Sequence, residues 1–348
     1  MINAKMRAAV LYGKEQVRVE QVEQAPLKAG EVRIAIAAAL TCGTDLKVFK
    51  RGYHARMIVP PAVFGHELAG VIAEVAPEVD RWKVGQRVVV ANSAPCDDCF
   101  FCRQGQQNLC DSLLFLNGAY AESIVVPARL AQKNLLELKP ETPFPDAALS
   151  EPLACVVQGA AECGLGEGQR VLVIGSGPIG LMFVGLARHL GCAVTVAGRG
   201  ASRLETAQRL GAQRVIEVGG AGDARQAVRA DTTALFDVVI EAVGTPETWA
   251  AAVQLVRKGG KVNFFGGCPS GTSVSLDTGL LHYSNLTLLA SFHHTPRRFR
   301  EALALIEAGV IQAVDFVDGE CPLSGLPDLL LSMSQGNRAV KTLIRVRE

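Results

Sequence analysis

The sequence has almost no excess of charge of either sign and no apolar run long enough for an ordinary membrane span. Its 35 lysine and arginine residues balance 34 aspartate and glutamate residues, for a formal net charge of +1. A chain without a basic surplus has no electrostatic basis for binding nucleic acid or an anionic membrane. The most apolar stretch, 171–187, has 17 residues, among them four glycines and a proline. A buried strand, turn and helix explain it better than a membrane segment.

Signals for export, disorder and repetition are also missing. The first residues lack the apolar region of a signal peptide, and we find no internal repeat or low-complexity segment, so we expect a cytoplasmic protein. The chain is 49% hydrophobic and 20% charged, which is typical of a globular protein. Its 348 residues suffice for two domains with their own cores. Ten cysteines in an unsecreted chain indicate metal sites or free thiols rather than a disulfide framework.

The hydrophobic pattern changes near residue 156. Before it, short runs such as the alternating Val32, Ile34 and Ile36 predict strands, with a long loop over 42–53. After it, apolar runs alternate with helical patterns, which is typical of a parallel sheet covered by helices on both faces. The predicted strands are 171–174, 193–197, 214–218, 236–241 and 261–265, and the predicted helices are 176–190, 201–210 and 247–257.

The last part of the chain is mixed. A helix is predicted at 297–308 and a strand over 339–346, and apolar segments around 262–290 appear rich in β-structure. We expect the tail to return to the first domain. The predicted fold class is α/β, with a β-rich domain over 1–155 that includes a cysteine lobe at 94–112, a doubly wound parallel-sheet domain over 156–292, and the returning segment 293–348.

Glycines recur at fixed spacing directly after the strand predicted at 171–174. The first glycine would allow a tight turn, the second a close approach of the backbone to a pyrophosphate, and the third close packing of the next helix. The phosphates would lie at the helix N-terminus, where free N–H groups favour anions. The pattern therefore predicts a dinucleotide site at Gly175, Gly177, Pro178, Ile179 and Gly180.

The end of the second predicted strand indicates which dinucleotide binds. An enzyme that uses NAD usually has Asp or Glu there, about 20 residues past the glycines, to bind the ribose 2′-hydroxyl. Here the position is Gly198, followed by Arg199 and, four residues later, Arg203. Both guanidinium groups could hold a phosphate. The sequence predicts a preference for NADP(H) over NAD(H), unless both arginines are only solvated surface residues.

Four cysteines lie close together in the first domain. Cys96, Cys99, Cys102 and Cys110 have the spacing C-x2-C-x2-C-x7-C, which can close a tetrahedral zinc site. An iron–sulfur run has three residues before its last cysteine and a proline after it, whereas here seven residues intervene and Asp111 follows. With no open coordination position, the predicted zinc is structural.

A second set of metal donors is dispersed along the chain. It comprises Cys42, His66, Glu67 and, far downstream, Glu151. Taken singly, a buried cysteine or histidine is more often a core residue. A thiolate, an imidazole and a carboxylate together beside a dinucleotide fold indicate a catalytic zinc, which takes three protein ligands and keeps one position open.

In these motifs the chain resembles the zinc-dependent medium-chain dehydrogenases, in the sorbitol (polyol) and threonine dehydrogenase branch. The resemblance covers nearly the whole chain. Besides the glycine turn and the cysteine lobe, the matching segments are Cys42-Gly-Thr-Asp45, Gly65-His-Glu67, Gly85-Gln-Arg-Val, Gly118-Ala-Tyr-Ala-Glu122, Glu151-Pro-Leu and Glu241-Ala-Val-Gly244. It implies a GroES-like catalytic domain, a Rossmann domain, and hydride transfer between a nicotinamide and an alcohol or ketone.

The resemblance also implies roles for particular residues. Cys42, His66 and either Glu67 or Glu151 would hold the catalytic zinc, so that each subunit binds two zinc ions. Thr44 would relay a proton, and Asp45 would orient His66. Further cofactor contacts would be Ala242, Val243, Gly266 and Lys341. The expected assembly is a homotetramer or homodimer that acts on a small-molecule alcohol or ketone.

One loop departs from the family pattern. Where sorbitol dehydrogenases carry an arginine that contacts polyol hydroxyls, this chain has 291–296, with His293 and His294. We expect these histidines and Phe115 to line the substrate pocket, and sorbitol itself is in doubt. A polyol, cyclitol, sugar or secondary-alcohol dehydrogenase is the preferred interpretation. The alternatives are a threonine-type amino-alcohol dehydrogenase and a catalytically silent nucleotide-binding protein.

Overall fold

A computed structural model describes residues 5–54, 56–337 and 339–347. The chain divides into two compact units. The first contains Met1–Ala154 and His294–Glu348, and the second contains Cys155–His293. The chain passes from one unit to the other after Ala154 and again after His293, and each position lies one residue from the boundary predicted from the hydrophobic pattern.

The elements follow one another along the chain in three groups. Before residue 170 they are β1 (Lys5–Gly13), β2 (Gln16–Glu23), β3 (Val32–Leu40), α1 (Gly43–Arg51), β4 (Ala62–Val63), β5 (Glu67–Val75), β6 (Arg87–Val90), β7 (Ser93–Ala94), α2 (Phe100–Arg103), β8 (Leu114–Phe115), β9 (Ser123–Val126), α3 (Ala128–Lys133), β10 (Leu135–Glu137), α4 (Phe144–Ala148) and α5 (Ser150–Cys163). The next group is β11 (Arg170–Ile174), α6 (Pro178–His189), β12 (Ala193–Gly198), α7 (Ala201–Arg209), β13 (Arg214–Glu217), α8 (Ala224–Asp231), β14 (Phe236–Glu241), α9 (Pro246–Leu255), β15 (Val256–Phe264), α10 (Thr278–Tyr283) and β16 (Thr287–Leu289). The last group is α11 (Pro296–Glu307), β17 (Val317–Pro322), α12 (Leu326–Ser334) and β18 (Lys341–Arg345), and short 3-10 turns lie at Gln107–Leu109, Ala221–Asp223, Ala313–Asp315 and Leu323–Gly325.

The first unit is organised around β3. Its sheet has the order β10-β6-β5-β3-β18-β17, with β9 also paired to β3, and a separate sheet has the order β2-β1-β4. Leu40, the last residue of β3, is opposite Glu67 of β5 and Leu343 of β18. The chain segments next to these three residues, which are far apart in sequence, therefore meet at one edge of the sheet.

The segment 42–53, predicted as a loop, contains helix α1. Cys42 is its N-cap, and the Asp45 carboxylate accepts a hydrogen bond from the Cys42 amide, which completes a capping box. Gly52, at φ 86°, ends the helix in the left-handed conformation that favours glycine. The loop prediction was wrong because the two residues that cap the helix were interpreted only as a metal ligand and its support.

The second unit is a parallel sheet in the order β13-β12-β11-β14-β15-β16. Buried apolar side chains such as Leu172, Val239 and Val262 form its core. Strand order reverses between β11 and β14, the position where doubly wound folds bind ligands at the carboxyl ends of their strands. The region 262–290 is less β-rich than predicted, because α10 lies between β15 and the short β16. Helix α8 was not predicted.

The predicted glycine turn joins β11 to α6. Gly175 has φ 119°, which requires glycine, and a Cβ at Gly180 would collide with the carbonyl oxygen of Gly175. At Gly177 a Cβ would meet nothing within 4 Å. The first and third glycines are therefore needed by the fold itself, whereas the second leaves open space beside the backbone.

Candidate active site, zinc lobe and nucleotide turn

Four cysteine sulfurs lie together in the loop between β7 and β8. The Sγ atoms of Cys96, Cys99, Cys102 and Cys110 are within 4.8 Å of one another. Cys96 Sγ is 4.0 Å from Cys102 Sγ and 3.5 Å from Cys110 Sγ. A disulfide needs about 2.05 Å, whereas a tetrahedral zinc with bonds of about 2.3 Å separates its sulfurs by about 3.8 Å. The donor set and its spacing fit a closed zinc site.

Backbone amides donate to these sulfurs. Cys96 Sγ accepts from the amides of Asp98 at 3.4 Å and Cys99 at 3.3 Å, and these bonds lower the pKa of the Cys96 thiol to about 6. Burial raises the pKa of the Cys102 thiol to about 12. The amide bonds thus favour the Cys96 thiolate, whereas burial disfavours the Cys102 thiolate.

The second set of metal donors follows from the pairing of β3 with β5. Cys42 lies two residues after β3, and His66 lies immediately before β5. The donor atoms of Cys42, His66 and Glu67 are within 4.8 Å of one another. Thr44 is half-buried in the first turn of α1, and its amide donates to Cys42 Sγ at 3.4 Å. Thiolate, imidazole and carboxylate form a donor set that zinc accepts.

A buried carboxylate organises this cluster. Asp45 Oδ1 lies 3.0 Å from His66 Nδ1, and Asp45 Oδ2 accepts from the Cys42 amide at 3.0 Å. A carboxylate on Nδ1 fixes the tautomer and leaves Nε2 for a metal. Burial would lower the pKa of His66, but the Asp45 carboxylate and the Cys42 sulfur outweigh it and raise this pKa well above its ordinary value.

Tyr120 holds Asp45 from the other side. Its ring is fully buried, and its hydroxyl donates to Asp45 Oδ2 and lies 3.1 Å from the carbonyl oxygen of Leu40. Burial and the negative Asp45 raise the pKa of Tyr120 well above its ordinary value, so the hydroxyl stays protonated as a donor. The sequence analysis assigned Tyr120 no role, although the segment Gly118–Glu122 that contains it was among those matching the family.

Glu67 has a partner that the sequence did not predict. Lys341 Nζ donates to both Glu67 oxygens, at 2.7 and 2.6 Å, and to the carbonyl oxygen of Thr41 at 3.0 Å. Lys341 was expected to contact the cofactor, and in the structure its ammonium is buried on Glu67. Burial raises the pKa of Glu67, and Lys341 opposes that effect. The sequence signal that could have indicated this partner is a lysine within the apolar alternating segment 339–346.

Glu151 and His294 lie beside the same cluster. His294 Nε2 is 3.9 Å from Glu151 Oε1 and 3.3 Å from Asn92 Oδ1. Burial raises the pKa of Glu151 to about 7 and lowers the pKa of His294 to about 4. His293 and His294 were expected to replace a substrate-binding arginine and its aromatic neighbour, and His294 is a neutral buried ring at neutral pH. It cannot supply the positive charge of an arginine.

The two other residues predicted to line the substrate pocket are Phe115 and His293. Phe115 is half-buried in β8, with the Arg56 guanidinium 6.0 Å from its ring centroid. His293 has φ 61°, and its ring centroid lies 5.7 Å from that of Phe292.

In the second unit, a buried carboxylate shapes the loop after β14. Glu241 Oε1 accepts hydrogen bonds from the amides of Val243 at 2.8 Å and Gly244 at 2.9 Å. A Cβ at Gly266 would lie 2.7 Å from Glu241 Oε2. Glu241 thus holds together the predicted cofactor residues Ala242, Val243 and Gly266, a role that the sequence analysis did not assign.

The predicted 2′-phosphate site lies at the end of β12. Gly198 is buried in the last position of the strand, Arg199 is exposed, and Arg203 lies in the first turn of α7. The glycines at 175, 177 and 180 lie in the adjacent turn. Within the second unit, the dinucleotide residues predicted from the sequence therefore occupy the carboxyl ends of neighbouring parallel strands.

Comparison with known proteins identifies the class. Residues 28–140 match the alcohol dehydrogenase GroES-like domain, and residues 178–308 match the zinc-binding dehydrogenase domain. The chain is 34% identical over 328 residues to D-altritol 5-dehydrogenase of Agrobacterium fabrum, covering 92% of this chain and 93% of the relative. It is 32% identical over 291 residues to L-threonine 3-dehydrogenase of Pyrococcus abyssi, covering 82% and 81%.

A solved structure is similar over the same length. A zinc-binding dehydrogenase of Sinorhizobium meliloti 1021, crystallised with NADP, superposes with a TM-score of 0.89 at 28% identity, covering 98% of this chain and 99% of that one. The chain belongs to the zinc-dependent medium-chain dehydrogenase family, in its polyol and threonine dehydrogenase branch. It is an oxidoreductase that acts on CH–OH donors. Among the described residues, no helix is both long and apolar enough to cross a membrane.

The Tyr120–Asp45 contact generates a prediction with a control in the same chain. Tyr120→Phe leaves the buried Asp45 carboxylate without one donor, so we expect a loss of about 1.5–3 kcal/mol of stability. Tyr12 also donates to a carboxylate, that of Glu20, but it is 38% exposed, and Tyr12→Phe should change stability by less than about 0.5 kcal/mol. Thermal unfolding of both variants measures the difference, and equal losses would contradict the role of burial.

Proposed function

We propose that this enzyme transfers a hydride between NADP(H) and a secondary alcohol or ketone of the polyol, cyclitol or sugar class. The observation that carries the proposal is the buried cluster of Cys42, His66 and Glu67, oriented by Asp45, in the same chain as a dinucleotide turn. The metal donors also disfavour a catalytically silent nucleotide-binding protein, because such a protein has no need of them.

We propose Cys42 and His66 as ligands of the catalytic zinc, with a carboxylate as the third. Glu67 belongs to the 4.8 Å group, but both of its oxygens hold Lys341. Glu151 lies outside that group, and its Oε1 is 3.9 Å from Nε2 of the neutral His294 ring. Bound zinc would act as a Lewis acid that polarises the substrate oxygen and lowers the pKa of a substrate hydroxyl.

The chain's own residues position and move protons around that site. Asp45 keeps the His66 ring in one tautomer, and Tyr120 keeps Asp45 in place. Thr44, in the first turn of the helix capped by Cys42, is the proposed hydroxyl that passes the substrate proton outward. We also propose a homotetramer or homodimer, supported by family membership alone.

Zinc content tests the metal proposal. Protein purified without added zinc should contain about two equivalents by elemental analysis. Cys99→Ser should lose one equivalent and lower the melting temperature, because a closed site holds structure. His66→Ala should lose the other equivalent and its turnover, with a smaller fall in melting temperature than Cys99→Ser. A wild type that contains only one equivalent, and keeps it in Cys42→Ala, would refute the catalytic site, and a Cys99→Ser protein that melts normally but does not turn over would reverse the roles.

The amino-alcohol alternative depends on recognition of a substrate carboxylate. It has support from the Pyrococcus relative, which is named a threonine dehydrogenase. In this chain, however, His294 is neutral, and the Arg297 guanidinium is paired with Glu301 at 2.8 Å. The polyol interpretation needs no such cation and is supported by the altritol dehydrogenase relative.

A substrate panel decides between them. Oxidation rates over polyols, cyclitols, sugars, secondary alcohols and threonine should be highest for a polyhydroxylated substrate. We expect kcat/KM for threonine to be at least about tenfold lower, because Arg297 is paired with Glu301 and His294 carries no charge to meet its carboxylate. Turnover of threonine alone would establish the alternative.

The cofactor preference is supported by the residues after β12 and by the NADP-bound structural neighbour. No carboxylate at Gly198 repels a 2′-phosphate, and each charge-assisted contact contributes about 1.5–3 kcal/mol. Because Arg199 is exposed, we take the lower end of that range.

We expect the wild type to have a kcat/KM for NADP at least about tenfold above that for NAD. Arg199→Leu should raise KM for NADP by about tenfold and leave KM for NAD nearly unchanged. Arg209→Leu, at the far end of the same helix, is the control and should change neither value. Equal or better use of NAD by the wild type would overturn the preference.

A further inference from the structure

Ser176, the residue between the first two glycines of the turn, is directed at the backbone of the next strand. Its hydroxyl donates to the carbonyl oxygen of Arg199 at 2.8 Å and accepts from the Arg199 amide at 3.0 Å. The regular pairing of β11 with β12 ends at Ile174 and Ala197. The serine side chain therefore extends the connection between these strands past the point where the backbones stop pairing.

This bridge occupies the space beside Gly198. A Cβ at Gly198 would lie 2.5 Å from both Cβ and Oγ of Ser176 and 2.9 Å from its amide nitrogen. Contacts this short are not tolerated without movement of the turn. Any side chain at residue 198 therefore competes directly with Ser176, and this includes the carboxylate that would bind a ribose 2′-hydroxyl.

The hydrogen bonds of Ser176 also position the beginning of the segment that carries Arg199 and Arg203. They fix both backbone groups of Arg199, and Gly200 follows at φ 93° as the N-cap of α7. Gly200 has no side chain to cap the helix, so no side-chain cap bond holds this end of α7. Ser176 is thus the side chain that ties the beginning of this segment to the glycine turn.

We propose that Ser176 is a positioning residue that selects the dinucleotide. Its hydroxyl holds the segment 198–203 where Arg199 and Arg203 can receive a 2′-phosphate, and its side chain excludes a carboxylate at residue 198. This inference rests on the proposed NADP preference. It assigns the selection to a residue in the glycine turn, in addition to the arginines that would contact the phosphate.

The first test removes the hydroxyl and keeps the Cβ. Calorimetric titration of wild type and Ser176→Ala with 2′,5′-ADP and with 5′-AMP isolates the contribution of the 2′-phosphate, because the two probes differ only in that group. We expect Ser176→Ala to raise the Kd of 2′,5′-ADP about tenfold, as two hydrogen bonds are lost, and to change the Kd of 5′-AMP less than about threefold. An equal rise for both probes would mean general damage to the turn and would overturn the proposal, as would no rise for either.

The second test addresses the exclusion of a carboxylate and does not depend on the first. Gly198→Asp alone should weaken the binding of 2′,5′-ADP without improving the binding of NAD, because the new side chain collides with Ser176. Gly198→Asp combined with Ser176→Gly removes the Cβ and Oγ contacts and should bind NAD about tenfold more tightly than the single variant. If Gly198→Asp alone binds NAD as tightly as the double variant does, Ser176 does not exclude the carboxylate.

Wild-type titrations separate this inference from the function on which it rests. A wild-type ratio of the two probe Kd values near one would refute the NADP preference itself. A clear wild-type preference that Ser176→Ala leaves intact would refute only the role of Ser176.

Discussion

The buried ion pair between Lys341 and Glu67 joins the three strands on which the metal cluster depends. Glu67 begins β5, Lys341 begins β18, and the lysine also bonds the carbonyl oxygen of Thr41, just after β3. A buried charge is costly unless it is paired and hydrogen-bonded. The strand register that satisfies Lys341 and Glu67 is also the one that places Cys42 beside His66. The pair therefore links the correct folding of this sheet to the assembly of the metal donors.

Features whose chemistry is local could be predicted from the sequence. The cysteine spacing over 96–110 and the glycine spacing over 175–180 are each contained in one short segment, and the structure brings both sets together. The Lys341–Glu67 pair joins residues 274 positions apart, and nothing local specifies such a partner. Helix α1 was missed for a different reason. Cys42 and Asp45 cap it, and the same two side chains were interpreted as a ligand and its support.

The two histidines of the cluster show why residue type alone was insufficient. His66 and His294 are both buried, yet Asp45 and Cys42 raise the pKa of the first, while burial lowers the pKa of the second to about 4. The sequence analysis expected His293 and His294 to replace an arginine, which is positively charged, and its aromatic neighbour. Whether a histidine carries that charge depends on its neighbours in space, and the sequence does not list them.

Side chains that bond to backbone position the functional groups in both units. Asp45 accepts from the Cys42 amide, Glu241 accepts from the amides of Val243 and Gly244, and Ser176 bonds both backbone groups of Arg199. Each bond is made in a loop or turn directly after a strand, where the ladder no longer holds the chain. A buried side chain that bonds there satisfies backbone groups that would otherwise need water. Residues that do not contact a substrate can therefore determine how precisely their neighbours are positioned to contact it.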